Sequence, residues 1–277
     1  MTRSLIVTAD DLGLSPGVNA AVAAGYDRGI VTATSLLAVG RAFDDAAQVL
    51  RERPGLEVGA HLALVGEDPP LLDASQIPTL VDAHGAFPLS YRTVVARALA
   101  GRLDPDDVRR ELSAQLDRVL SLGLPVTHVD THQHTHLWPA VAAVVVDLAR
   151  QAGVPAVRLT TSHAHSVVGL GVRTLARPLR RRAGWAGLVG TADYAGLDEA
   201  GSMDAARFAA TLRSAARRGA MSLEINAHPG TADEAALSRF EWGYHWAQEK
   251  EMLLDPATRA LVEECGYRLS GFSDLTG

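Results

Sequence analysis

Short apolar runs alternate with longer stretches of helical periodicity along most of the chain. The runs are rich in β-branched residues, which is typical of buried strands, whereas apolar positions three and four residues apart indicate amphipathic helices. The predicted strands are Leu5–Thr8, Thr32–Val39, Glu57–Leu64, Val126–Asp130, Val154–Thr160, Ser222–Asn226 and Tyr267–Ser270. The predicted helices are Val18–Arg28, Phe43–Arg53, Asp104–Gly123, Pro139–Gln151, Asp204–Arg218 and Asp255–Glu264.

This alternation of strand and helix predicts a parallel sheet whose neighbouring strands are joined by helical crossovers. An open doubly wound sheet and a closed barrel both bury their strands on two faces, so periodicity leaves the two architectures open. The first strand is not followed by a Gly-x-Gly-x-x-Gly sequence, so a dinucleotide-binding sheet has no support. We expect one α/β domain over residues 1–277, with an irregular insertion or lid at residues 162–202.

The overall composition excludes several function classes. The chain has 277 residues, 47% of them hydrophobic and 21% charged, as in ordinary soluble globular proteins. Its single cysteine, Cys265, excludes an intramolecular disulfide and a cysteine-rich zinc site. A net charge of −6 argues against a nucleic-acid partner, and no apolar run approaches the roughly 20 residues that span a bilayer. A cytoplasmic protein without a membrane span is therefore expected.

Polar and titratable side chains collect at or just beyond the predicted carboxyl ends of five strands. They are Asp10 and Asp11 after the first strand, His61 in the third, Asp130, His132, His134 and His136 at the fourth, Arg158 in the fifth and His228 after the sixth. The carboxyl ends of parallel strands form the edge that carries the active site in α/β folds. This convergence therefore predicts a catalytic or binding site.

The residue types at this edge are those that bind metals. Asp10 and Asp11 are adjacent, so one carboxylate can ligate a cation while the other takes a proton. Residues 127–136 contain four of the ten histidines, and alternate residues from 130 to 136 would share one face if the segment stayed extended. Imidazole and carboxylate together suit zinc and other first-row metals, while carboxylate-rich sites also accept magnesium. One divalent cation is predicted, without its identity.

Each of these residues also has a purely structural interpretation. Asp10 and Asp11 could form a turn, and His61 alone would be an ordinary buried histidine. His228 could belong to a turn, and Arg158 could close a strand end with a surface ion pair. If the edge is a site, His228 can donate a proton and Arg158 can hold a carboxylate through paired hydrogen bonds.

Two further features are interpreted as structural. A basic helical stretch is expected to be a solvated face, with an anion clamp or a subunit contact as the alternatives; its residues are Arg173, Arg177, Arg180, Arg181 and Arg182. Trp242, Tyr244 and Trp246 lie near a predicted helix start, where packing is the favoured role and a stacking platform for sugars is the alternative.

Four segments together point to a known family: TADDLGLSPGVN at residues 8–19, GAHL at 59–62, THVDTHQHTH at 127–136 and AHPG at 227–230. In content and order they resemble the YdjC-type carbohydrate deacetylases, which include chitooligosaccharide deacetylases and relatives associated with hopanoid biosynthesis. The resemblance extends over nearly the whole chain and is weakest between residues 162 and 202. It implies a distorted (β/α) TIM-like barrel, often a homodimer, that deacetylates N-acetylated sugars with a divalent metal.

The resemblance also implies roles for individual residues. Asp11, His61 and His132 match the metal ligands. Asp10 matches the base, His228 matches the acid, and Arg158 matches the arginine that orients the base. Asp130, His134 and His136 are assigned to substrate contact or to support of the ligands. The chain departs from the family at Leu12, Gln133 and Thr160, where Phe, His and Pro are usual. None of these changes removes a ligand, and those at Gln133 and Thr160 are expected to affect substrate choice.

The predicted function is metal-dependent hydrolysis, with magnesium or zinc, of the N-acetyl group of an amino sugar, oligosaccharide or glycoconjugate. The products would be a free amine and acetate. Two alternatives stay open: a metal-dependent phosphoesterase on a barrel rim, and a metal- or sugar-binding module without turnover.

Overall fold

A computed structural model describes residues 3–231 and 235–276. The strands are β1 (Arg3–Leu12), β2 (Ala33–Leu37), β3 (Glu57–Leu62), β4 (Val126–Thr131), β5 (Ala156–Val157), β6 (Asp193–Ala195), β7 (Ser222–Ala227) and β8 (Tyr267–Leu269). The helices are α1 (Pro16–Arg28), α2 (Phe43–Arg51), α3 (Tyr91–Leu99), α4 (Pro105–Leu120), α5 (Pro139–Gln151), α6 (Val167–Trp185), α7 (Ala205–Arg217), α8 (Trp246–Leu254) and α9 (Pro256–Glu264).

The strands form one parallel sheet in the order β5-β4-β3-β2-β1-β7-β6. Strand β1 is long enough to pair with β2 near its carboxyl end and with β8 near its amino end. A bridge between Ala156 and Val189 brings the β5 edge close to the segment that leads into β6. The sheet thus curls into a distorted α/β barrel, and this prediction is confirmed.

Helix α4 shows how local sequence and packing act together. The Asp104 side chain caps the helix by accepting a hydrogen bond from the Asp106 N–H at 2.9 Å. Val108, Leu112 and Leu116 recur at helical spacing and are buried against the core. Each such side chain stabilises the fold by about 1.5–3 kcal/mol relative to an exposed position.

A second face of α4 is polar and still buried, because it holds the long loop that follows β3. The Gln115 amide exchanges two hydrogen bonds with the backbone of Ala63, at 2.7 and 2.8 Å. One helical turn earlier, the Glu111 carboxylate accepts from the N–H groups of Leu71 and Leu72. These contacts hold the loop that follows β3 against α4.

Several elements differ from the predictions. The predicted strand Val154–Thr160 is reduced to β5, and α3, β6 and α8 were not predicted as elements. Residues 162–202, expected to be irregular, contain α6 and β6, and the predicted basic stretch lies on α6. Strand β6 has only three positions, too few to show a period of two, and its pairing with β7 reveals it. Among the described residues, no helix combines the length and apolar character needed to cross a membrane.

Candidate metal-binding active site

The carboxyl end of β1 is irregular, and this irregularity places two adjacent carboxylates in one site. In a regular strand Asp10 and Asp11 would point to opposite faces of the sheet. Here the pairing of β1 with β2 shifts register between Ala9 and Leu12, and Asp11 adopts the left-handed conformation with φ of 66°. Such a bulge re-aims side chains. Both aspartates are buried, and both lie beside His61.

Asp11, His61 and His132 come together as a buried trio from three different strand ends. One candidate ligand atom from each lies within 4.8 Å of the others. The Asp11 Oδ1 atom is 3.4 Å from His61 Nε2 and 3.1 Å from His132 Nδ1. Among the described residues, neither oxygen of Asp11 has a hydrogen-bond partner of acceptable geometry. A buried carboxylate left in this way is costly unless a cation satisfies it.

This trio fits a divalent cation better than the neighbouring trio of Asp10, His61 and Asp130, whose ligand atoms are also within 4.8 Å of one another. The carboxylates of Asp10 and Asp130 are already occupied by hydrogen bonds from neighbouring side chains. His61 Nδ1 lies 2.8 Å from Asp130 Oδ1, an arrangement that orients the ring and leaves Nε2 directed at Asp11. Asp130 thus orients the His61 ring and is itself fully buried.

The charges around the trio favour an ionised carboxylate. Burial alone would raise the pKa of Asp11, but His132 and His61 hold that pKa well below its usual range. Burial likewise opposes charge on His61, yet Asp130 and Asp11 raise its pKa to about 10. A metal binds neutral imidazole, so cation binding at this trio must release a proton.

Arg158 is fully buried and organises the carboxylates behind the trio. Its Nη1 and Nη2 atoms donate to the two oxygens of Asp10 at 2.8 Å each, a bidentate pair. It also pairs with Asp130, and its Nε donates to Glu224 Oε1 at 2.8 Å. Burial alone would lower the pKa of Arg158, but these carboxylates raise it well above its usual value.

Glu224 on β7 is the residue of this cluster that the sequence analysis missed. A charged residue inside the apolar run Ser222–Asn226 was the available signal. Burial raises the pKa of Glu224 from 4.5 to about 7, with Asp130 adding to the rise and Arg158 opposing it.

Glu224→Gln is expected to change the pH dependence of stability. In the unfolded chain the carboxyl ionises near pH 4.5, whereas the folded protein retains the proton up to about pH 7. Stability contributed by Glu224 is therefore lost as pH rises from 4.5 to 7. Relative to the variant, the wild type should lose roughly 3 kcal/mol of unfolding free energy over this range. Urea unfolding of metal-free wild type and variant at pH 5 and pH 7.5 measures the two free energies of unfolding. The same wild-type-to-variant difference at both pH values would contradict the prediction.

His228 lies between the carboxylates of Asp10 and Glu249. Its Nε2 atom is 3.9 Å from Asp10 Oδ2, and its Nδ1 atom is 3.8 Å from Glu249 Oε2. Glu249 is buried and also accepts from the backbone N–H of His228, so it fixes the turn that carries the ring. Burial opposes protonation, but Glu249 and the aspartates raise the pKa of His228 above its usual value. The ring can therefore carry a transferable proton near neutral pH.

A cavity of about 280 Å³ opens onto these groups. It is lined by Asp10, His61, Tyr91, Thr131, His132, Gln133, His134, Leu197, Ala200, His228, Trp242 and Tyr244. The Trp242 ring lies 5.1 Å from that of His132, and the Tyr244 ring 4.8 Å from that of His228. These two aromatic residues pack on each other, as predicted. They also form a wall of the cavity, so the prediction of a packing role alone was incomplete.

The histidine-rich segment does not stay extended. Strand β4 ends at Thr131, and residues 132–137 form a tight turn in which Gln133 and His134 have positive φ. His132 consequently faces Asp11 and His134 lines the cavity, whereas His136 is fully buried against Thr131 and Thr160. Burial lowers the pKa of His136 to about 4. The sequence pattern alone could not separate these roles.

With this geometry in place, comparison with known proteins identifies the chain. A family model described as "YdjC-like protein" matches residues 4–264. The chain belongs to the YdjC-like family. The resemblance drawn from the four short segments is thereby confirmed.

Curated relatives of this YdjC-like protein match it end to end. It is 33% identical to a chitooligosaccharide deacetylase of Serratia marcescens, over 99% of this chain and 100% of that protein. It is 32% identical to a chitooligosaccharide deacetylase of Salmonella dublin, again over 99% of this chain and 100% of that protein.

Solved structures show the same fold. An Enterococcus faecalis protein proposed to cleave cellobiose phosphate superposes with a TM-score of 0.84 at 22% identity, covering 99% of both chains. A lactam utilization protein of Thermus thermophilus has a TM-score of 0.50 at 17% identity, covering 96% of this chain and 98% of that one. At these identities the likeness concerns the fold of the YdjC-like chain alone.

Proposed function

We propose that this YdjC-like protein is a metal-dependent hydrolase that removes the N-acetyl group from an acetylated amino sugar, oligosaccharide or glycoconjugate. The products are a free amine and acetate. The observation that carries the proposal is the buried Asp11 carboxylate, which lies between His61 and His132, two residues that line the same cavity as Asp10 and His228. The full-length relatives named as chitooligosaccharide deacetylases support an acetylated sugar as substrate.

Asp11, His61 and His132 would hold the cation. One carboxylate and two imidazoles form a three-ligand set of the kind that leaves a coordination position open in catalytic zinc sites, while magnesium prefers oxygen ligands. We therefore propose zinc ahead of magnesium. When bound, the cation would make a water more acidic and polarise the acetamide carbonyl.

The chain's own residues supply the proton transfers. Asp10, kept in one orientation by the bidentate Arg158, takes the proton of the attacking water. His228 lies 3.9 Å from Asp10 and donates a proton to the departing sugar nitrogen. Trp242 and Tyr244 give the cavity an aromatic wall on which a sugar ring can lie.

Acetate release from a panel of N-acetylated sugars tests the proposal. The protein is stripped with a chelator and reloaded separately with zinc and magnesium, and acetate and free amine are measured for each sugar. We expect equal amounts of the two products, only in reloaded samples. No acetate from any sugar of the panel, with either metal, would overturn the proposed function.

The two alternatives predict different results in the same panel. A phosphoesterase would release phosphate from phosphate monoesters instead of acetate from sugars. A binding module would retain ligand without turnover, and its affinity would be unaffected in His228→Ala. The acid–base arrangement of His228 and Asp10 around one cavity favours the hydrolase over the binding module.

Residues 162–202 are proposed to act as a lid or wall of the cavity, since Leu197 and Ala200 line it. We also propose a homodimer, as the family resemblance implies, located in the cytoplasm. Val167 and Leu170 near the start of α6 and Trp185 at its end are 88%, 59% and 87% exposed, and these are apolar side chains that a second subunit could cover. Light scattering coupled to size exclusion gives the number of subunits.

A further inference from the structure

Tyr194 on β6 is a buried polar residue without a part in the proposed chemistry. Its side chain is fully buried, and its hydroxyl donates a hydrogen bond to Asn226 Oδ1 at 2.7 Å. Burial raises the pKa of Tyr194 well above its usual value, so the hydroxyl keeps its proton. Tyr194 is therefore a hydrogen-bond donor held in place on β6, directed at Asn226 on the neighbouring strand β7.

Asn226 on β7 connects this donor to the proposed base. Its Nδ2 atom donates to Asp10 Oδ2 at 2.7 Å, on the same oxygen that receives Arg158 Nη1 at 2.8 Å. Gly196, just after β6, has a φ of 118°, and a Cβ built there would lie 1.8 Å from Asn226 Oδ1. The absence of a side chain at residue 196 thus leaves the space in which the Asn226 amide lies.

We propose that Tyr194 is a positioning residue that acts through Asn226 on Asp10, an inference that rests on the proposed function. An amide presents an oxygen on one side and an NH₂ group on the other. Because the Tyr194 hydroxyl occupies the oxygen, the NH₂ group is directed at Asp10 Oδ2. Asp10 Oδ2 is also the oxygen that lies 3.9 Å from His228 Nε2, so the orientation of the Asp10 carboxylate matters for proton transfer in the cavity.

A purely structural role for Tyr194 is the competing explanation. The ring lies 5.8 Å from the Arg158 guanidinium carbon and packs against the His134 ring, with centroids 5.8 Å apart. Phenylalanine retains the ring and removes only the hydroxyl. Tyr194→Phe therefore separates the contacts of the hydroxyl, with Asn226 Oδ1 at 2.7 Å and with His134 Nε2 at 3.3 Å, from the packing of the ring.

The chain offers a matched control in Tyr267 on β8. Its hydroxyl donates to the Ala220 carbonyl at 3.0 Å, and the residue is 3% exposed. Tyr267→Phe also removes one buried tyrosine hydroxyl hydrogen bond, at the end of the sheet away from the cavity. The two variants should lose similar thermal stability.

The experiment compares both variants with the wild type in acetate release. We expect Tyr194→Phe to lower kcat by about tenfold or more with KM within about twofold, in the range seen when residues supporting a site are removed. Tyr267→Phe should keep the wild-type kcat. Asn226→Asp, which places a carboxylate against Asp10, should lower kcat at least as much as Tyr194→Phe.

A second readout does not depend on activity. In metal-free protein, the side-chain NH₂ resonances of Asn226 should shift in Tyr194→Phe and stay unchanged in Tyr267→Phe. Wild-type kcat in Tyr194→Phe, an equal loss in Tyr267→Phe, or unshifted Asn226 resonances would each overturn the positioning role. If the wild type releases no acetate from any sugar, the proposed function fails, and a shift of the Asn226 resonances would then show that the hydrogen-bond chain exists without that chemistry.

Discussion

Asp10→Asn is expected to lower kcat for acetate release by about 10²–10⁴-fold while the protein keeps its metal, because a positioned general base contributes a factor of this size. An amide cannot take the proton of the attacking water, and its NH₂ group would face the donating nitrogens of Arg158. The Asp11, His61 and His132 trio does not include residue 10. Metal content per chain and steady-state kinetics measure the two effects separately.

Asp107→Asn provides the matched control for this prediction. Asp107 is also a buried carboxylate, paired with Arg110 and accepting hydrogen bonds from Thr79, but it lies on α4 and does not line the cavity. We expect that control to lose stability and to keep kcat. Wild-type turnover in Asp10→Asn would remove Asp10 from the mechanism.

Asp11→Ala is expected to abolish both metal binding and acetate release. In the wild type, a cation at about 100 times its Kd should stabilise the fold by about 2.7 kcal/mol, since it binds only the native state. For a chain of this size that corresponds to a rise in Tm of about 5–10 °C. Asp11→Ala should show no metal-dependent rise, because Asp11 is the proposed carboxylate ligand of the trio. Calorimetric scans with and without zinc measure the shift.

The same scans discriminate between the two trios of the site. If Asp11→Ala still gains Tm with zinc at wild-type affinity, the cation must bind elsewhere, and Asp10, His61 and Asp130 become the candidate ligands. That outcome would also conflict with the role of Asp10 as base, since a metal ligand is a poor proton acceptor.

Elements defined by local chemistry were predictable from the chain alone. Helix α5 was predicted with its observed bounds, Pro139–Gln151, because a proline at its first position, an apolar stripe and a following glycine are all local signals. Strand β6 was not predicted, and β5 was predicted longer than it is, because strands of two and three residues form only where a neighbouring strand supplies hydrogen bonds.

The general location of the site was also predictable, and its internal geometry was not. Asp11, His61 and His132 could be assigned to one edge because the carboxyl ends of parallel strands meet there. The left-handed backbone of Asp11 and of the turn after β4 could not be foreseen, because those conformations depend on the sheet register around them.

The amino-acid order therefore determined the α/β alternation, the edge that carries the site and the residue types present there. The folded chain decided which carboxylate lies between His61 and His132 and which is held by Arg158. It also placed Asn226 and Glu224 on β7 within hydrogen-bond reach of Asp10 and Thr8 on β1, at separations of 216 residues. Such contacts are set by which strands pair, and strand pairing over that distance leaves no local pattern in the sequence.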